Sequence, residues 1–284
     1  MMIFNARSIC NKTFGLCEFL KDNDCDLCFV TEAWLKLKDE SVVAEIMDMG
    51  YDIKFQPRRG SKRGGGVAVL FKPDLDVDKC TVGSFKTFEV LQTTVKGFDN
   101  SLMRVSTLYR TGQLSKDKRM LFMKEFDHYL ESLVGLKGEN ILCGDLNIHV
   151  EDSSNPNTVA LYSVTESYGY SQIVNGATQQ DGGTLDLLFF KSEGNLKTLA
   201  EKSVYIHDLC YSMTSDHHFI ECLLPFVKYP PKPKKSISSY RDYNGIDIAQ
   251  FCQDIENNIE FMDCNYFALD IDKAVERFSG AMQL

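Results

Sequence analysis

Short β-rich runs that end at polar residues constrain the fold of this 284-residue chain more than any other feature. Branched and aromatic side chains dominate these runs, which is typical of strands. The runs cover residues 27–31, 66–71, 88–92, 104–108, 140–143, 185–190 and 219–224. Helical stretches separate some of them, so the pattern predicts a mixed α/β fold in which two packed sheets carry helices on their outer faces.

Helical periodicity is clearest over residues 115–133, where Phe122 and Phe126 belong to one apolar face. Ser115 is the predicted N-cap, because its hydroxyl can accept a hydrogen bond from a backbone N–H of the first turn. A second, weaker helix is predicted over residues 158–168.

A proline- and lysine-rich segment gives the best domain boundary. Residues 228–235 hold three of the seven prolines and four lysines, with no acidic residue. Proline is excluded from helix interiors and central strands, so we expect an extended linker between a domain of residues 1–227 and a tail of residues 236–284. Helical spacing over residues 247–260 predicts one amphipathic helix in the tail, which is too short to form a core of its own.

Composition places the chain among globular proteins, with 44% hydrophobic and 25% charged residues. No run reaches the roughly 18 apolar residues of a membrane span, and the N-terminus lacks the pattern of a signal peptide. We therefore expect a soluble intracellular protein, nuclear or cytoplasmic and not secreted, with no membrane partner and no obligate protein partner. The net charge of −9 disfavours indiscriminate binding to polyanions, so action on nucleic acid would call for carboxylates grouped around a divalent cation.

The ten cysteines are spread singly through apolar runs, which favours buried thiols over a disulfide framework. One pair, Cys25 and Cys28, has the C-x-x-C spacing found in many zinc and redox sites. No second pair or suitably spaced histidine completes a zinc site in the sequence, so a metal or redox role for this pair is disfavoured.

Polar clusters lie at the predicted strand ends, where the fold itself does not require them. They are Asn5-Ala-Arg-Ser8, Thr31-Glu32, Leu108-Tyr109-Arg110, Gly144-Asp145-Leu146-Asn147, Thr184-Leu185-Asp186 and Thr214-Ser215-Asp216-His217. Each alone has an ordinary explanation, since Gly-Asp after a strand is usually a turn and Ser-Asp before a strand is often a cap. Their ordered occurrence together is far more specific than any single short motif.

The side chains in these clusters form a complete inventory for phosphodiester hydrolysis. A glutamate and an asparagine supply oxygen ligands for a hard cation. Two aspartates, a histidine, a tyrosine and a second asparagine can orient water, transfer protons and stabilise charge. The inventory therefore favours a metal-dependent hydrolase over a chance collection of polar residues.

Taken in order, these motifs resemble those of the endonuclease/exonuclease/phosphatase superfamily, and most of all the endonuclease domain of LINE-type non-LTR retrotransposons. The resemblance covers residues 1–227 and also rests on Val30-Thr-Glu-Ala-Trp-Leu35, Gly64-Gly-Gly-Val-Ala68 and Gly183-Thr-Leu-Asp186. It implies a four-layer αββα sandwich of the DNase I type, with the active site at one edge of the paired sheets. The tail resembles the spacer that follows this domain in such elements.

The resemblance implies a metal site that holds Mg²⁺ or Mn²⁺. Glu32 would bind the cation directly with Asn5 close by, and Asp216 would be an outer ligand of the metal or of its water. Arg7 stands where repair endonucleases of the superfamily carry an acidic residue, which fits the retrotransposon pattern.

The resemblance also implies the catalytic roles. Asp145 would orient or deprotonate the attacking water, and Asn147 would fix both Asp145 and the scissile phosphate. Asp186 would hold His217 in its charged form, so that the imidazolium stabilises the transition state. Tyr109 would add a contact to the phosphate.

Candidate contacts to a DNA backbone surround the glycine run at residues 64–66. They are Arg58, Arg59, Lys62 and Arg63. A basic loop is often merely solvated, but the resemblance favours DNA as the partner. Ser215 and Thr184 are weaker candidates for hydrogen bonds to phosphate. The glycine run lacks the Lys-Ser/Thr ending of a P-loop, so we expect it to form a tight turn.

Three functions remain open from the sequence. The leading one is a metal-dependent DNA endonuclease that nicks one strand by in-line attack of water and leaves a 3′-hydroxyl. The second is a phosphatase of a small or lipid phosphoester with the same fold, and the third is an inactive remnant that binds nucleic acid. The complete set of catalytic residues argues against decay, and the retrotransposon-like motifs argue against a lipid substrate.

Overall fold

The computed structural model describes residues 1–60, 64–97, 99, 101–112, 114–191, 200–201, 203–208, 215–225, 247–250 and 253. These residues form two six-stranded sheets. The first contains β1 (Met2–Asn5), β2 (Leu27–Thr31), β3 (Asp52–Gln56), β4 (Val67–Phe71), β11 (Val204–His207) and β12 (Phe219–Cys222), in the order β11-β12-β1-β2-β4-β3. The second contains β5 (Asp76–Lys79), β6 (Phe88–Lys96), β7 (Leu102–Arg110), β8 (Glu139–Asp145), β9 (Tyr170–Gln172) and β10 (Asp186–Lys191), in the order β5-β6-β7-β8-β10-β9.

Four helices in the described part of the chain cover the outer faces of the two sheets. They are α1 (Thr13–Asp22), α2 (Glu40–Asp48), α3 (Lys116–Ser132) and α4 (Pro156–Ser167). Leu16 of α1 and Ile46 of α2 are buried in a cluster with residues of the first sheet, whereas Phe126 of α3 and Leu161 of α4 are buried against the second. A third cluster joins the inner faces of both sheets. The predicted αββα sandwich is therefore confirmed.

All seven predicted strands exist; β6, β7 and β8 are longer than predicted, and β4 and β12 are shorter. Sequence reasoning did not identify β1, β3, β5, β9 and β11 as strands. The helix predicted over residues 115–133 is α3, and the Ser115 hydroxyl accepts a hydrogen bond from the Lys118 N–H at 3.4 Å, as expected of an N-cap. The weaker helix begins earlier than predicted, because Asn155 caps it and Pro156 occupies its first turn. Sequence reasoning missed α1 and α2, whose N-cap residues Lys12 and Asp39 make no side-chain hydrogen bond to their helices.

The predicted linker and most of the predicted tail lie outside the described residues. The chain divides into two compact units, Met1–Lys232 and Pro233–Leu284. Residues 248–250 are helical, and the Asp247 carboxylate accepts hydrogen bonds from the N–H groups of Ala249 and Gln250. The exact domain boundaries and the full extent of the tail helix stay predictions. No helix in the described part of the chain is long and apolar enough to cross a membrane.

The C-x-x-C pair lies in the apolar cluster beneath α1 and α2. Cys25 and Cys28 are both free thiols and both buried. The Cys25 thiol donates a hydrogen bond to the Leu27 carbonyl at 3.1 Å, and burial raises the pKa of Cys25 to about 11. A thiol that resists ionisation is a poor metal ligand and a poor nucleophile, so this pair packs as part of the core.

Candidate active site

The strand topology brings the predicted site residues to one edge of the sandwich. In the first sheet, β1 and β2 run parallel, with Asn5 opposite Thr31 at their carboxyl ends. In the second sheet, Asp145 at the end of β8 lies opposite Asp186 at the start of the antiparallel β10. His217 lies just before β12, which is antiparallel to β1, so it returns to the same edge. We call this polar end of the paired sheets the catalytic edge.

His217 and Asp186 form a buried pair at the catalytic edge. The Nδ1 atom of His217 lies 2.6 Å from Oδ2 of Asp186, and both side chains are almost fully inaccessible to solvent. Burial by itself lowers the pKa of His217, but the hydrogen bond and negative charge of Asp186 outweigh it and raise the pKa to about 9. His217 is therefore cationic at neutral pH, as its predicted role requires.

The buried Asp145 carboxylate accepts three hydrogen bonds from amide groups. Its Oδ1 accepts from the Asn147 backbone N–H at 2.7 Å, and its Oδ2 accepts from the side-chain amides of Asn5 at 2.8 Å and Asn147 at 2.9 Å. Burial, and next the negative charge of Asp186, raise the pKa of Asp145 to about 8. A carboxylate with a pKa near the working pH is suited to act as a general base.

Glu32 follows β2 of the first sheet and also contacts Tyr109 of the second sheet. Its Oε1 accepts a hydrogen bond from the Asn5 side-chain amide at 3.3 Å, and its Oε2 accepts from the Trp34 indole N–H at 3.0 Å. The Asn5 amide thus bridges Glu32 and Asp145. Tyr109 also bonds to Glu32, and burial followed by the charge of Glu32 raises the pKa of Tyr109, which keeps the phenol protonated.

Backbone strain is concentrated at the catalytic edge. Glu32 has φ = 50° and Asn147 has φ = 48°, a left-handed conformation that costs free energy for residues other than glycine. Gly144 has φ = 123°, and a Cβ there would lie 2.2 Å from the Leu108 carbonyl oxygen. Only glycine fits that position, so the Gly-Asp pattern has a steric reason as well as a chemical one.

Arg110 belongs to one of the polar clusters found in the sequence, but sequence reasoning gave it no role at the site. Its Nε donates to the Leu146 carbonyl and its Nη2 donates to the Asn147 carbonyl at 2.6 Å, while the Asn147 side-chain amide donates to the Arg110 carbonyl at 2.6 Å. The guanidinium is buried, which lowers the pKa of Arg110 to about 10. The available signal was an arginine at the end of a predicted strand, adjacent to Tyr109.

Asp216 lies at the rim of the site. Its Oδ2 forms a 2.7 Å ion pair with Arg7 and accepts a hydrogen bond from Gln179 at 3.1 Å. Its Oδ1 lies 3.8 Å from Nε2 of His217. Arg7, the residue that departs from the repair-endonuclease pattern, therefore neutralises an acid beside the site.

The two predicted hydroxyl donors are engaged by the protein itself. Ser215 donates to the Asn5 carbonyl at 2.7 Å and accepts from the His217 N–H at 3.2 Å. Thr184 donates to the Gly176 carbonyl at 2.7 Å. Because both hydroxyl protons are taken by carbonyl groups, a hydrogen bond to phosphate would require either side chain to rotate. Their substrate role stays a prediction.

The basic residues predicted to contact DNA divide into two groups. Lys62 and Arg63 lie outside the described residues, whereas Arg58 and Arg59 are described. Arg58 is ion-paired with Glu89, and its guanidinium carbon lies 5.5 Å from the centroid of the Tyr109 ring. Arg58 therefore lies directly beside the catalytic edge.

The donor set at the edge suits a hard divalent cation. Ligand atoms of Asp145, Asp186 and His217 all lie within 4.8 Å of one another, and Oδ1 of Asp186 is buried without a hydrogen bond from the described residues. Crowded buried carboxylates disfavour their charged forms, and a cation would reverse that cost. This cluster differs from the sequence prediction, which centred the metal on Glu32. A protonated imidazole has no lone pair for a metal, and Oδ2 of Asp186 is hydrogen-bonded to it, so Oδ1 of Asp186 and the carboxylate of Glu32 are the oxygens that suit a cation.

Solved structures share this architecture. An AP endonuclease from Archaeoglobus fulgidus has a TM-score of 0.60 at 18% identity, with 78% of this chain and 98% of that chain covered. The 3′ phosphatase NExo from Neisseria, solved with a product DNA hairpin, has a TM-score of 0.62 at 17% identity, with 79% and 98% covered. The endonuclease domain of TRAS1, a telomere-specific non-LTR retrotransposon, has a TM-score of 0.58 at 12% identity, with 77% and 94% covered.

At these identities the structural likeness establishes the fold, and a comparison with curated proteins finds no match. The sequence itself carries the assignment further. The model of the Endonuclease/Exonuclease/phosphatase family matches residues 2–217, a span that runs from β1 to His217 and includes every side chain of the catalytic edge. The chain therefore belongs to the endonuclease/exonuclease/phosphatase family of hydrolases that act on phosphoester bonds.

Proposed function

We propose that this chain is a divalent-metal-dependent DNA endonuclease that nicks one strand, as in the opening of a target site for a non-LTR retrotransposon. The observation that carries the proposal is the buried pair of His217 and Asp186, joined at 2.6 Å and held next to Asp145. Burying a protonated imidazole beside a general base costs free energy. Phosphodiester hydrolysis uses both groups, the imidazolium to stabilise charge and the carboxylate to accept a proton.

Asp145 and Asn147 prepare the nucleophile. The Asp145 carboxylate is fixed by three hydrogen bonds, two of them from Asn147, so its direction is set before substrate arrives. In its ionised form it accepts a proton from water as the oxygen attacks phosphorus. The bond from phosphorus to the 3′ oxygen breaks, and that oxygen takes up a proton from solvent and leaves as the 3′-hydroxyl. The second function of Asn147 is to donate to the scissile phosphate, which requires its amide to turn from the Arg110 carbonyl.

His217 stabilises the charge that develops during the attack. Asp186 keeps the imidazole protonated and fixes its ring, because the pair shares a short hydrogen bond in a buried setting. The other ring nitrogen, Nε2, is then the donor that faces the phosphate oxygens. Tyr109, protonated and in contact with Glu32, adds a neutral donor to the same phosphate.

Glu32 and Asn5 form the proposed metal site, with Asp216 acting through water. Carboxylate and amide oxygens suit Mg²⁺ or Mn²⁺, and such a cation, when bound, neutralises charge on the scissile phosphate. The Asn5 amide nitrogen already binds Asp145 and Glu32, so Asn5 sets the spacing between the metal carboxylate and the general base. Its Oδ1 accepts from the Arg7 N–H at 3.1 Å, so the amide must turn for this oxygen to join Glu32 at the metal.

A phosphomonoesterase is the second candidate function. The same side chains suffice for hydrolysis of a monoester, and NExo, one of the similar structures, is described as a 3′ phosphatase. A diesterase must hold its substrate on both sides of the scissile bond, whereas a phosphomonoesterase holds it on one side. A cavity of about 590 Å³ lined by Tyr109 and Arg58 leaves room for a group beyond the scissile bond, which favours the diester.

Supercoiled plasmid tests the proposal. With Mg²⁺ or Mn²⁺, we expect conversion to nicked circle, and no conversion in excess EDTA. Glu32→Gln should lower the rate severely, whereas Glu131→Gln, an exposed glutamate on α3, should not. Metal-dependent phosphate release from a 3′-phosphorylated oligonucleotide without any nicking would replace the endonuclease by the phosphatase.

A further inference from the structure

A cavity of about 590 Å³ opens beside the catalytic edge. Its walls come from the end of β3 and the turn after it, from residues 79–91, and from the first turns of α3. Tyr109 and Arg58 line the cavity and also contact each other at the catalytic edge. A substrate bound at the reacting centre would therefore extend into this cavity without a break.

The cavity is strongly basic although the chain as a whole has a net charge of −9. Five cationic residues line it: Arg58, Arg59, Lys79, Lys86 and Lys118. Glu89 is the one acidic residue among the described lining residues, and it is bonded to Arg58 and to the Gly66 N–H. This local excess of positive charge is suited to a phosphate backbone.

Two of these cations are available to a ligand. Lys86 and Lys118 are exposed, and neither ammonium group has an ion pair with a described residue. By contrast, Arg59 donates to the Ser84 hydroxyl, and Lys79 donates to the Phe55 carbonyl at 2.8 Å. Lys86 and Lys118 lie on separate segments, so the fold rather than the sequence brings them to one cavity.

The wall between these cations is apolar and held in place. Phe85 lines the cavity and stacks on Phe88, with ring centroids 4.4 Å apart. The Glu125 carboxylate of α3 accepts hydrogen bonds from the backbone N–H groups of Lys86 and Thr87 at 3.0 Å. The loop that carries Phe85 and Lys86 is thus tied to α3. An aromatic and aliphatic wall with basic rims suits a base or deoxyribose with its phosphates.

We infer that this cavity binds the part of a DNA strand that flanks the cleaved phosphate, with Lys86 and Lys118 as contacts to its backbone. The inference rests on the proposed function and deepens it, because it identifies a substrate longer than a small phosphoester. A monoester bound at the catalytic edge would leave the cavity unused.

Charge reversal tests the inference with a matched control. Lys86→Glu/Lys118→Glu is compared with Lys124→Glu/Lys137→Glu, which changes the charge equally at exposed positions outside the cavity. We expect the cavity variant to lose about tenfold or more in the ratio of kcat/KM for a duplex oligonucleotide to kcat/KM for bis(p-nitrophenyl) phosphate. The salt dependence of oligonucleotide cleavage should also become shallower, by about one phosphate contact per lysine. Equal losses in the two double variants, or an unchanged ratio, would overturn the inference.

A binding measurement separates this inference from the proposed function. Fluorescence anisotropy with a labelled oligonucleotide in EDTA needs no catalysis. Weaker binding by the cavity variant than by the control supports the cavity even if the wild-type chain proves unable to nick DNA. Equal binding by both variants contradicts the cavity even if nicking is observed.

Discussion

The catalytic edge and the basic cavity beside it are built in opposite ways. Asp145, Asp186 and His217 are buried and hydrogen-bonded, and the backbone around them is strained at Glu32 and Asn147. The available cations of the cavity are exposed lysines without ion-pair partners among the described residues. Rigid, desolvated groups stabilise a transition state, whereas exposed surface charges contribute binding affinity that decreases as the salt concentration rises. Chemistry and substrate selection are therefore separable by mutation.

The largest expected effect comes from variants that change only the catalytic edge. His217→Ala and Asp186→Ala should each lower nicking by about 10²–10⁴-fold, because preorganised charge next to the phosphate is lost. The double variant should be little worse than the poorer single variant, since the two side chains act as a unit. Single-turnover rates measure this cycle. Fully additive losses would show that the pair does not work together.

The pH profile sharpens the comparison, because the catalytic edge holds two groups whose pKa values are shifted. Activity should fall as His217 loses its proton, with a pKa that Asp186 raises to about 9, and should rise with ionisation of Asp145, whose pKa burial raises to about 8 and a bound cation should lower again. The optimum is therefore alkaline and the profile of kcat/KM bell-shaped.

The Asp186→Asn variant tests whether the falling limb of that profile comes from His217. Asp186→Asn removes the charge that raises the pKa of His217, so the falling limb should move to lower pH. The Lys86→Glu/Lys118→Glu variant should keep the wild-type limbs. An Asp186→Asn profile with unchanged limbs would contradict the assignment of that limb to His217.

Arg110 gives an intermediate effect, because it positions the loop that carries Asn147 and does not touch substrate. Arg110→Met should lower kcat by about tenfold to a hundredfold with little change in KM, since misplaced groups lose transition-state stabilisation. Arg104→Met is the matched control, on the same strand but bonded to the distant Lys137 carbonyl. Partial recovery in Arg110→Lys is expected, and a change confined to KM would argue against positioning.

The smallest effect concerns the wall of the cavity. Ser115→Ala removes the N-cap that satisfies the Lys118 N–H, and should lower the free energy of unfolding by about 1 kcal/mol. Nicking should change far less than in the charge-reversal variant, because the side chain of Lys118 remains. Urea unfolding and the plasmid assay on the same preparation measure both quantities. An unchanged midpoint of unfolding would show that the cap contributes nothing.

The sequence was most informative where function and strand ends coincide. Asp145 follows the β8 pattern and Asp186 opens β10, so their meeting follows from the strand pairing once the family sandwich is assumed. The support around them was not readable. Arg110 donates hydrogen bonds to carbonyl groups about 36 residues further along the chain. Trp34 donates to Glu32 because the backbone has a positive φ at both residues.

The cavity could be predicted only in part, since Arg58 and Arg59 line it but Lys86 and Lys118 carry no signal in the sequence. Lys86 and Lys118 come from segments with ordinary solvated charges, and their association depends on Glu125 tying a loop to α3. Long-range tertiary contacts decide such features, and local pattern carries no record of them. Helix α1 is a different case, because its buried residues Thr13, Leu16, Cys17 and Leu20 follow helical spacing although no side chain caps its first turn.

Cleavage of an end-labelled duplex in ¹⁸O-water tests the central claim, hydrolytic nicking at the catalytic edge, most directly. With Mg²⁺ and wild-type protein, we predict a single cut strand with a 3′-hydroxyl and a 5′-phosphate that carries one solvent oxygen, and almost no product from Asp145→Asn. Mass spectrometry of the product ends gives the answer. Cleavage that leaves a 3′-phosphate, or equal cleavage by Asp145→Asn, would contradict the assignment of water attack to this edge.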